Sequence, residues 1–230
     1  MKEIPFELGT VLVVDKPLNW TSFDVVKKIR HTICKHFNLK KIKVGHAGTL
    51  DPLASGVVVV CTGKKTKIID QFINESKEYT GEIRLGSTTP SFDLETEIDK
   101  EFPLPALDDN ILKKISNNFT GEILQVPPIF SAKRINGKRA YQYARNNEEI
   151  VLKPSSVTIH SLELKAIDKN TLRFNCHCSK GTYIRSLARD IGLFLGSGGH
   201  LISLKRIKSG NFSLEMAKSI DEWIDIINAS

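Results

Sequence analysis

Gly45-His46-Ala47-Gly48-Thr49-Leu50-Asp51-Pro52-Leu53-Ala54-Ser55-Gly56, followed at once by Val57-Val58-Val59-Val60-Cys61-Thr62, is the stretch from which the rest of the chain is read. The glycines and the proline fix a tight, irregular loop, and the apolar run after it reads as a buried strand. Asp51 sits in the middle of the loop. The residue before a proline is pushed toward extended geometry, which can hold a side chain out at a strand edge. A capped turn, closed through the backbone of Asp51, is the other reading, and the loop alone leaves both open. Gly56 to Lys64 has the look of a phosphate-binding P-loop but fails as one. Six residues separate Gly56 from Gly63 where four are needed, and Lys65 stands where Ser or Thr would reach magnesium. No dinucleotide fingerprint and no His-Glu-x-x-His pattern occurs, so any chemistry is expected to run without an obvious cofactor.

Working outward, Thr10 to Asp15 reads as a strand ending at Lys16-Pro17. A helix follows, capped by Thr21 and Asp24, with Phe23, Val26, Ile29, Ile33 and Phe37 at helical spacing. Beyond the loop, Val57–Thr62 is a strand, Thr66–Phe72 a short helix, Lys77–Leu85 an alternating strand and Thr88–Glu97 an acidic, polar loop. Helices are expected at Asp108–Asn118, Ala140–Arg145, Tyr183–Leu195 and Ser219–Asn228. Strands are expected at Val157–Leu164, Thr171–Cys178 and His200–Ile207, with Phe212 and Leu214 continuing the sheet. Asn136-Gly137 marks a hairpin turn. Strands and helices mix without regular βαβ alternation, so the fold class is α+β: a mixed, mostly antiparallel sheet flanked by helices.

The chain has 230 residues, 40% of them hydrophobic. At that length it buries roughly 70% of its unfolded surface and needs no staple to fold. The longest unbroken apolar run, Val57 to Cys61, is far short of the ~20 residues that a bilayer span needs. Glu3, Glu7 and Asp15 interrupt the N-terminal region, which has no signal-peptide core. A soluble, cytoplasmic protein is expected. Lys and Arg number 33 against 26 Asp and Glu, a net charge of +7. That sign suits a polyanion such as nucleic acid, and also a basic protein without such a partner. Cys176-His177-Cys178 has the residue types of a zinc site. Yet Leu172, Phe174, Cys176 and Cys178 alternate on one strand face, which points His177 away from both thiols, so a buried strand with reduced thiols is expected. Ser179-Lys180-Gly181-Thr182-Tyr183-Ile184-Arg185-Ser186-Leu187-Ala188-Arg189-Asp190 breaks a strand at Gly181 and caps a helix with Thr182. Arg185 in that helix's first turn is electrostatically unfavourable unless an anion, a carboxylate or a phosphate, is close.

Residues 45–56 resemble the catalytic motif of the TruB family of tRNA pseudouridine synthases. The likeness extends along the chain. Asp15-Lys16-Pro17 with Trp20-Thr21-Ser22 resembles the family's N-terminal motif, and Lys77-Glu78-Tyr79 with Leu85-Gly86 its tyrosine motif. Gln125-Val126-Pro127-Pro128 through Ser131-Ala132, then Gly137-Lys138-Arg139-Ala140-Tyr141, resembles its central segment. Residues 181–190 resemble its arginine motif, with Gly199-His200-Leu201 and Leu204 downstream. Asn19 stands where the family usually has Gly, and Arg134 where it usually has Lys. Many bacterial relatives continue into a small C-terminal RNA-binding domain of the PUA type. None fits after Phe212 here, so one catalytic domain over residues 1–230 is expected, and its last helix carries Asp221, Glu222 and Asp225 but no Lys or Arg.

The resemblance implies an isomerase that converts uridine 55 in the T-loop of tRNA to pseudouridine. The N-glycosidic bond breaks, the uracil turns over and a bond from C1′ to C5 forms, with no cofactor and no metal. By resemblance Asp51 is the nucleophile, and attack at C6 of the base or at C1′ of the ribose both fit. Arg185 is its ionic partner. Tyr79 stacks on the uracil, its hydroxyl assisting proton transfer. Tyr183 and Leu204 line the base pocket, plain core packing being the other reading of Leu204. His46 fills the gap left by the flipped base. Lys16, Lys64, Lys65, Lys133, Arg134, Lys138 and Arg139 are candidate phosphate contacts. The T-arm of tRNA is the expected partner, with no membrane, no protein partner and a monomeric chain. Two rivals are an RNA chaperone that kept the fold and lost the chemistry, which the presence of Asp51, Tyr79 and Arg185 opposes, and a zinc enzyme using Cys176, His177 and Cys178.

Overall fold

In this computed structural model the described residues are 4–230 except 132, 136, 147 and 149, with the backbone alone at 134, 135, 139, 141, 144 and 145. In chain order the elements are β1 (Val11–Lys16), α1 (Ser22–His36), β2 (Val44–His46), β3 (Ala54–Thr62), a three-ten helix (Gly63–Ile68), α2 (Ile69–Asn74), β4 (Lys77–Leu85), β5 (Ser87–Thr88), β6 (Lys100–Glu101), α3 (Asp109–Phe119), β7 (Gly121–Gln125), β8 (Arg134–Ile135) and β9 (Lys138–Arg139). They continue with α4 (Ala140–Arg145), β10 (Ser155–Asp168), β11 (Thr171–Cys178), α5 (Ile184–Phe194), β12 (Gly199–Ser209), β13 (Phe212–Ser213), a three-ten turn (Leu214–Met216) and α6 (Ile220–Asn228). The pairs β1–β3, β2–β3, β7–β10, β10–β11 and β12–β13 are antiparallel, and β3–β12 is parallel. The class is therefore α+β with a mixed, mostly antiparallel sheet.

The chain forms two compact units, residues up to Tyr79 together with Leu204–Ser230, and Thr80–Ser203; β4 and β12 each pass from one into the other. The first unit is built on β3. One edge of β3 pairs with β1 from Val11↔Cys61 to Lys16↔Gly56. The other edge is shared: β12 runs parallel to Ala54–Gly56 through Leu204, Lys205 and Arg206, and β2 runs antiparallel to Val60–Thr62. Val57 to Cys61 are fully buried, as an apolar run covered on both faces must be. Val13, Val57 and Val59 pack with Ile69, Phe72 and Ile73 of α2, while α1 packs on β2 and α6, and α6 on β1. The capping box on α1 is formed, Thr21 Oγ1 accepting from Asp24 N at 3.0 Å and Asp24 Oδ2 from Thr21 N at 2.9 Å.

Three expectations change. Phe23 is 60% exposed, because the buried stripe of α1 runs through Ser22, Val25, Val26, Ile29, Thr32 and Ile33. At about 100° per residue, position 23 lies well round the helix from it. Second, β2 and the first residues of β3 were expected to be loop. Third, the short helix splits into a three-ten turn at Gly63 and α2.

In the second unit the strand order is β4-β11-β10-β7. The face of β11 carrying Leu172, Phe174, Cys176 and Cys178 is buried, as its alternation predicts. The expected hairpin pairs Arg134↔Arg139 and Ile135↔Lys138, its turn residue Asn136 lying outside the described residues. On α5 the N-cap is Tyr183, whose N–H donates to Gln125 Oε1 at 2.7 Å. Thr182 was expected to cap this helix; its hydroxyl instead turns back to Ser179 O at 2.9 Å.

Candidate active site

The loop from Ala47 to Leu53 joins β2 to β3. It is tied down residue by residue. Ala47 N donates to Val59 O at 2.8 Å, which extends the β2 ladder. The Ser22 hydroxyl, buried at the first turn of α1, accepts from Leu50 N at 2.8 Å and donates to Leu50 O at 3.1 Å. Asn19 N donates to Pro52 O at 2.8 Å, and Ala54 N donates to Asp51 O at 3.1 Å. The last bond closes a turn with Asp at its first position and Pro at its second, a favoured arrangement. Asp51 therefore closes a turn through its backbone, one of the two readings of the loop, and is itself half-buried between two anchored neighbours.

Two buried cations sit against this loop. Lys16, at the end of β1, is 0% exposed, and its ammonium donates to Pro17 O at 2.9 Å and Trp20 O at 2.6 Å. Burial pulls its pKa from 10.5 down to about 8, and the nearby Asp51 carboxylate opposes that pull. Arg206, on β12, is 1% exposed. Its Nε donates to Val57 O at 2.6 Å, Nη1 to Thr49 O at 3.4 Å and Nη2 to Gly48 O at 3.2 Å. His46 ends β2 half-buried; burial, seconded by the Arg206 guanidinium, lowers its pKa and favours the neutral ring at pH 7. Lys77, also buried, donates to the carbonyls of Phe72, Ile73 and Glu75 at 3.3, 2.6 and 2.6 Å and so caps the end of α2. Tyr79 is buried two residues further along β4. Leu204 is half-buried opposite Ala54, where β3 leaves the loop.

In the second unit Arg185 is 4% exposed at the start of α5. Its guanidinium donates to Ser91 O at 3.2 Å and Phe130 O at 2.8 Å, and Nε lies 3.6 Å from Asp93 Oδ2. The anion that its helix position calls for is present. Asp93 is itself buried, in a tightly bonded turn: Thr89 Oγ1 donates to Asp93 O at 2.7 Å and Glu95 N to Asp93 Oδ1 at 3.0 Å. From sequence alone, Thr88–Glu97 is an acidic, polar loop. Sequential Thr89, Ser91, Asp93 and Thr96 were the available signal, because such residues fold a loop on its own backbone.

The TruB family pseudouridylate synthase N-terminal domain matches residues 35–184, and the tRNA pseudouridylate synthase B C-terminal domain matches residues 185–228. The chain belongs to the TruB family. It is 50% identical to tRNA pseudouridine synthase B of Parabacteroides distasonis over 96% of this chain and 94% of that protein. It is 44% identical to the protein of the same name from Chlorobaculum tepidum over 96% and 92%. Among solved structures it is similar to a Cbf5-Nop10-Gar1 complex, at a TM-score of 0.70 and 29% identity, covering 96% of this chain and 54% of the matched one, so it spans about half of that protein.

The TruB motifs are thus distributed over both units. Asp51, His46, Lys16, Tyr79 and Leu204 belong to the first, and Tyr183 and Arg185 to the second. Lys16, expected among the phosphate contacts, has no exposed surface in this structure, and its ammonium braces the backbone carbonyls of Pro17 and Trp20. Lys64, Lys65 and Lys138 are exposed, and Lys133 is half-buried. The side chains of Arg134, Arg139 and Tyr141, and all of Ala132, lie outside the described residues. Asn19, which replaces the family's usual Gly, has φ of +64°, a left-handed conformation that Asn tolerates better than most residues. His177 lies on the face away from Cys176 and Cys178, its ring 4.6 Å from that of His160. Hydrogen bonding to Cys178 and burial push the Cys176 thiol far up. No local pattern in the sequence marks Arg206 as buried.

Proposed function

We propose that this chain isomerises uridine 55 in the T-loop of tRNA to pseudouridine, with Asp51 as the nucleophile and the target base flipped out of the RNA. The observation that carries the reading is the loop itself. It presents one half-buried carboxylate, anchored through residues 48, 49, 50 and 52, in a chain 50% identical to a tRNA pseudouridine synthase B. A carboxylate so held can form a covalent intermediate that divides a hard substitution into two easier steps. The N1–C1′ bond breaks, the uracil turns over, C5 bonds to C1′, and the proton from C5 leaves while N1 takes one up. Tyr79 stacks against the base, and its hydroxyl takes part in the proton transfer. Arg185 belongs to the same catalytic set, and Asp93 fixes its guanidinium. His46, neutral at pH 7, takes the place vacated by the base, and Tyr183 and Leu204 line the pocket. Exposed Lys64, Lys65 and Lys138 meet phosphates.

The test is release of tritium from C5-labelled uridine in a tRNA transcript, with primer extension after carbodiimide treatment to locate the product. Wild-type chain is expected to release tritium at one position, residue 55 of the RNA. Asp51→Asn is expected to release none while binding tRNA within about threefold of wild type, since phosphates supply most of the affinity. Asp51→Asn activity above about 1% of wild type would remove Asp51 as the nucleophile.

A further inference from the structure

Arg206 heads the fully buried side chains of the described residues by size, and the chemistry above makes no use of it. A buried guanidinium is costly unless each donor has a fixed acceptor. Here the acceptors are backbone carbonyls, and their position is informative. β12 pairs with β3 as far as Gly56, and Val59 O is taken by Ala47 N. Between those points Val57 O faces an edge that neither neighbouring strand reaches. Arg206 Nε fills it at 2.6 Å. The other arm of the guanidinium takes Gly48 O and Thr49 O, two and three residues before Asp51. One planar group thus fastens the catalytic loop to the strand that follows it. Gly48, with φ of +100°, lies beside Arg206 Nη1 and Lys77 Cε, at 3.9 and 4.0 Å from where a Cβ would stand.

Position 206 is itself fixed. It pairs with Gly56, where a Cβ would fall 2.2 Å from Arg206 O, so the two backbones are as close as a glycine allows. Lysine at 206 offers a point charge where a rigid fork serves three carbonyls in different directions. We infer that Arg206 is a positioning residue for the reaction: by holding Gly48 O and Thr49 O against Val57 O it sets the direction in which the loop presents the Asp51 carboxylate. The inference rests on the reading of Asp51 as nucleophile.

The test uses the full chain, wild type and Arg206→Lys, in single-turnover reactions at saturating tRNA, with filter binding and thermal melts on the same preparations. Arg206→Lys is expected to stay folded, to bind tRNA within about threefold of wild type and to lose at least about tenfold in single-turnover rate, since small displacements of a reacting group cost that and more. Arg206→Ala is expected to regain part of its rate on adding guanidinium ion, a response that a purely architectural role would not give. Arg206→Lys within about twofold of the wild-type rate overturns the inference, as does a rate loss matched by an equal loss of affinity or of folded fraction. Should Arg206→Ala not fold, the lysine variant decides alone. A wild-type chain that releases no tritium overturns the proposed function, whereas an active wild type with an unimpaired Arg206→Lys overturns only this inference.

Discussion

Asn19 has left-handed backbone, and its N–H holds Pro52 O next to Asp51. Glycine at 19 keeps that geometry, whereas a β-branched residue strains it. Asn19→Gly is therefore expected to melt close to wild type and Asn19→Val to lose about 1–2 kcal/mol, read by thermal or denaturant unfolding. Lys16 makes a pH prediction. Its folded pKa, about 8, lies below the unfolded 10.5, so between those values the unfolded chain binds more protons and this group makes stability rise with pH. Below about pH 8 it is charged in both states and its burial cost is present in full. Lys16→Met should flatten the rise; denaturant titrations from about pH 8 to 10 that give parallel curves for both proteins would contradict the buried ammonium. Tyr79→Phe keeps the ring and loses the hydroxyl, and kcat should fall on the order of 10², whereas an unchanged kcat would leave Tyr79 as a stacking surface.

Among the elements, the contact of β3 with β12 is the most sensitive. Gly56→Ala puts a Cβ 2.2 Å from Arg206 O at φ of +105°. Overpacking and backbone strain together are expected to cost at least about 3 kcal/mol, and a variant as stable as wild type would rule out this parallel pairing. The start of α5 depends on Gln125 from the end of β7. Gln125→Ala removes the acceptor for Tyr183 N and should destabilise by roughly 1–2 kcal/mol, as loss of a helix cap does. Element by element, β4, β11 and the cap of α1 were legible because alternation and the capping box are local patterns. β2, and β3 before Val57, were not, because Ala54–Gly56 are made strand by Leu204–Arg206, about 150 residues away.

Across the whole molecule, the charge of +7 is unevenly placed. Lys64 and Lys65 are exposed, while the exposed side of α6 carries Asp221, Glu222 and Asp225. RNA contact is therefore expected away from α6. An isolated T-arm stem-loop should be turned over with kcat/KM within about tenfold of whole tRNA, compared at one salt concentration. An advantage of about a hundredfold or more for whole tRNA would reveal a distal contact.

The fold class was readable in the linear chain, because glycine, proline and apolar spacing act on near neighbours, and the family was readable from its motifs and their order. Which charges lie inside was not readable. Lys16 reads as a surface cation and is buried; Arg206 reads as one more basic residue in a strand and holds the loop at Gly48 and Thr49; Asp93 reads as loop polarity and holds Arg185. Each of these charges is stable in the interior only through partners that the fold delivers, backbone carbonyls for Lys16 and Arg206 and the Arg185 guanidinium for Asp93. For Arg206 and Asp93 these come from distant parts of the chain, and desolvation sets so high a cost on an unpaired charge that only the three-dimensional arrangement decides whether it is buried.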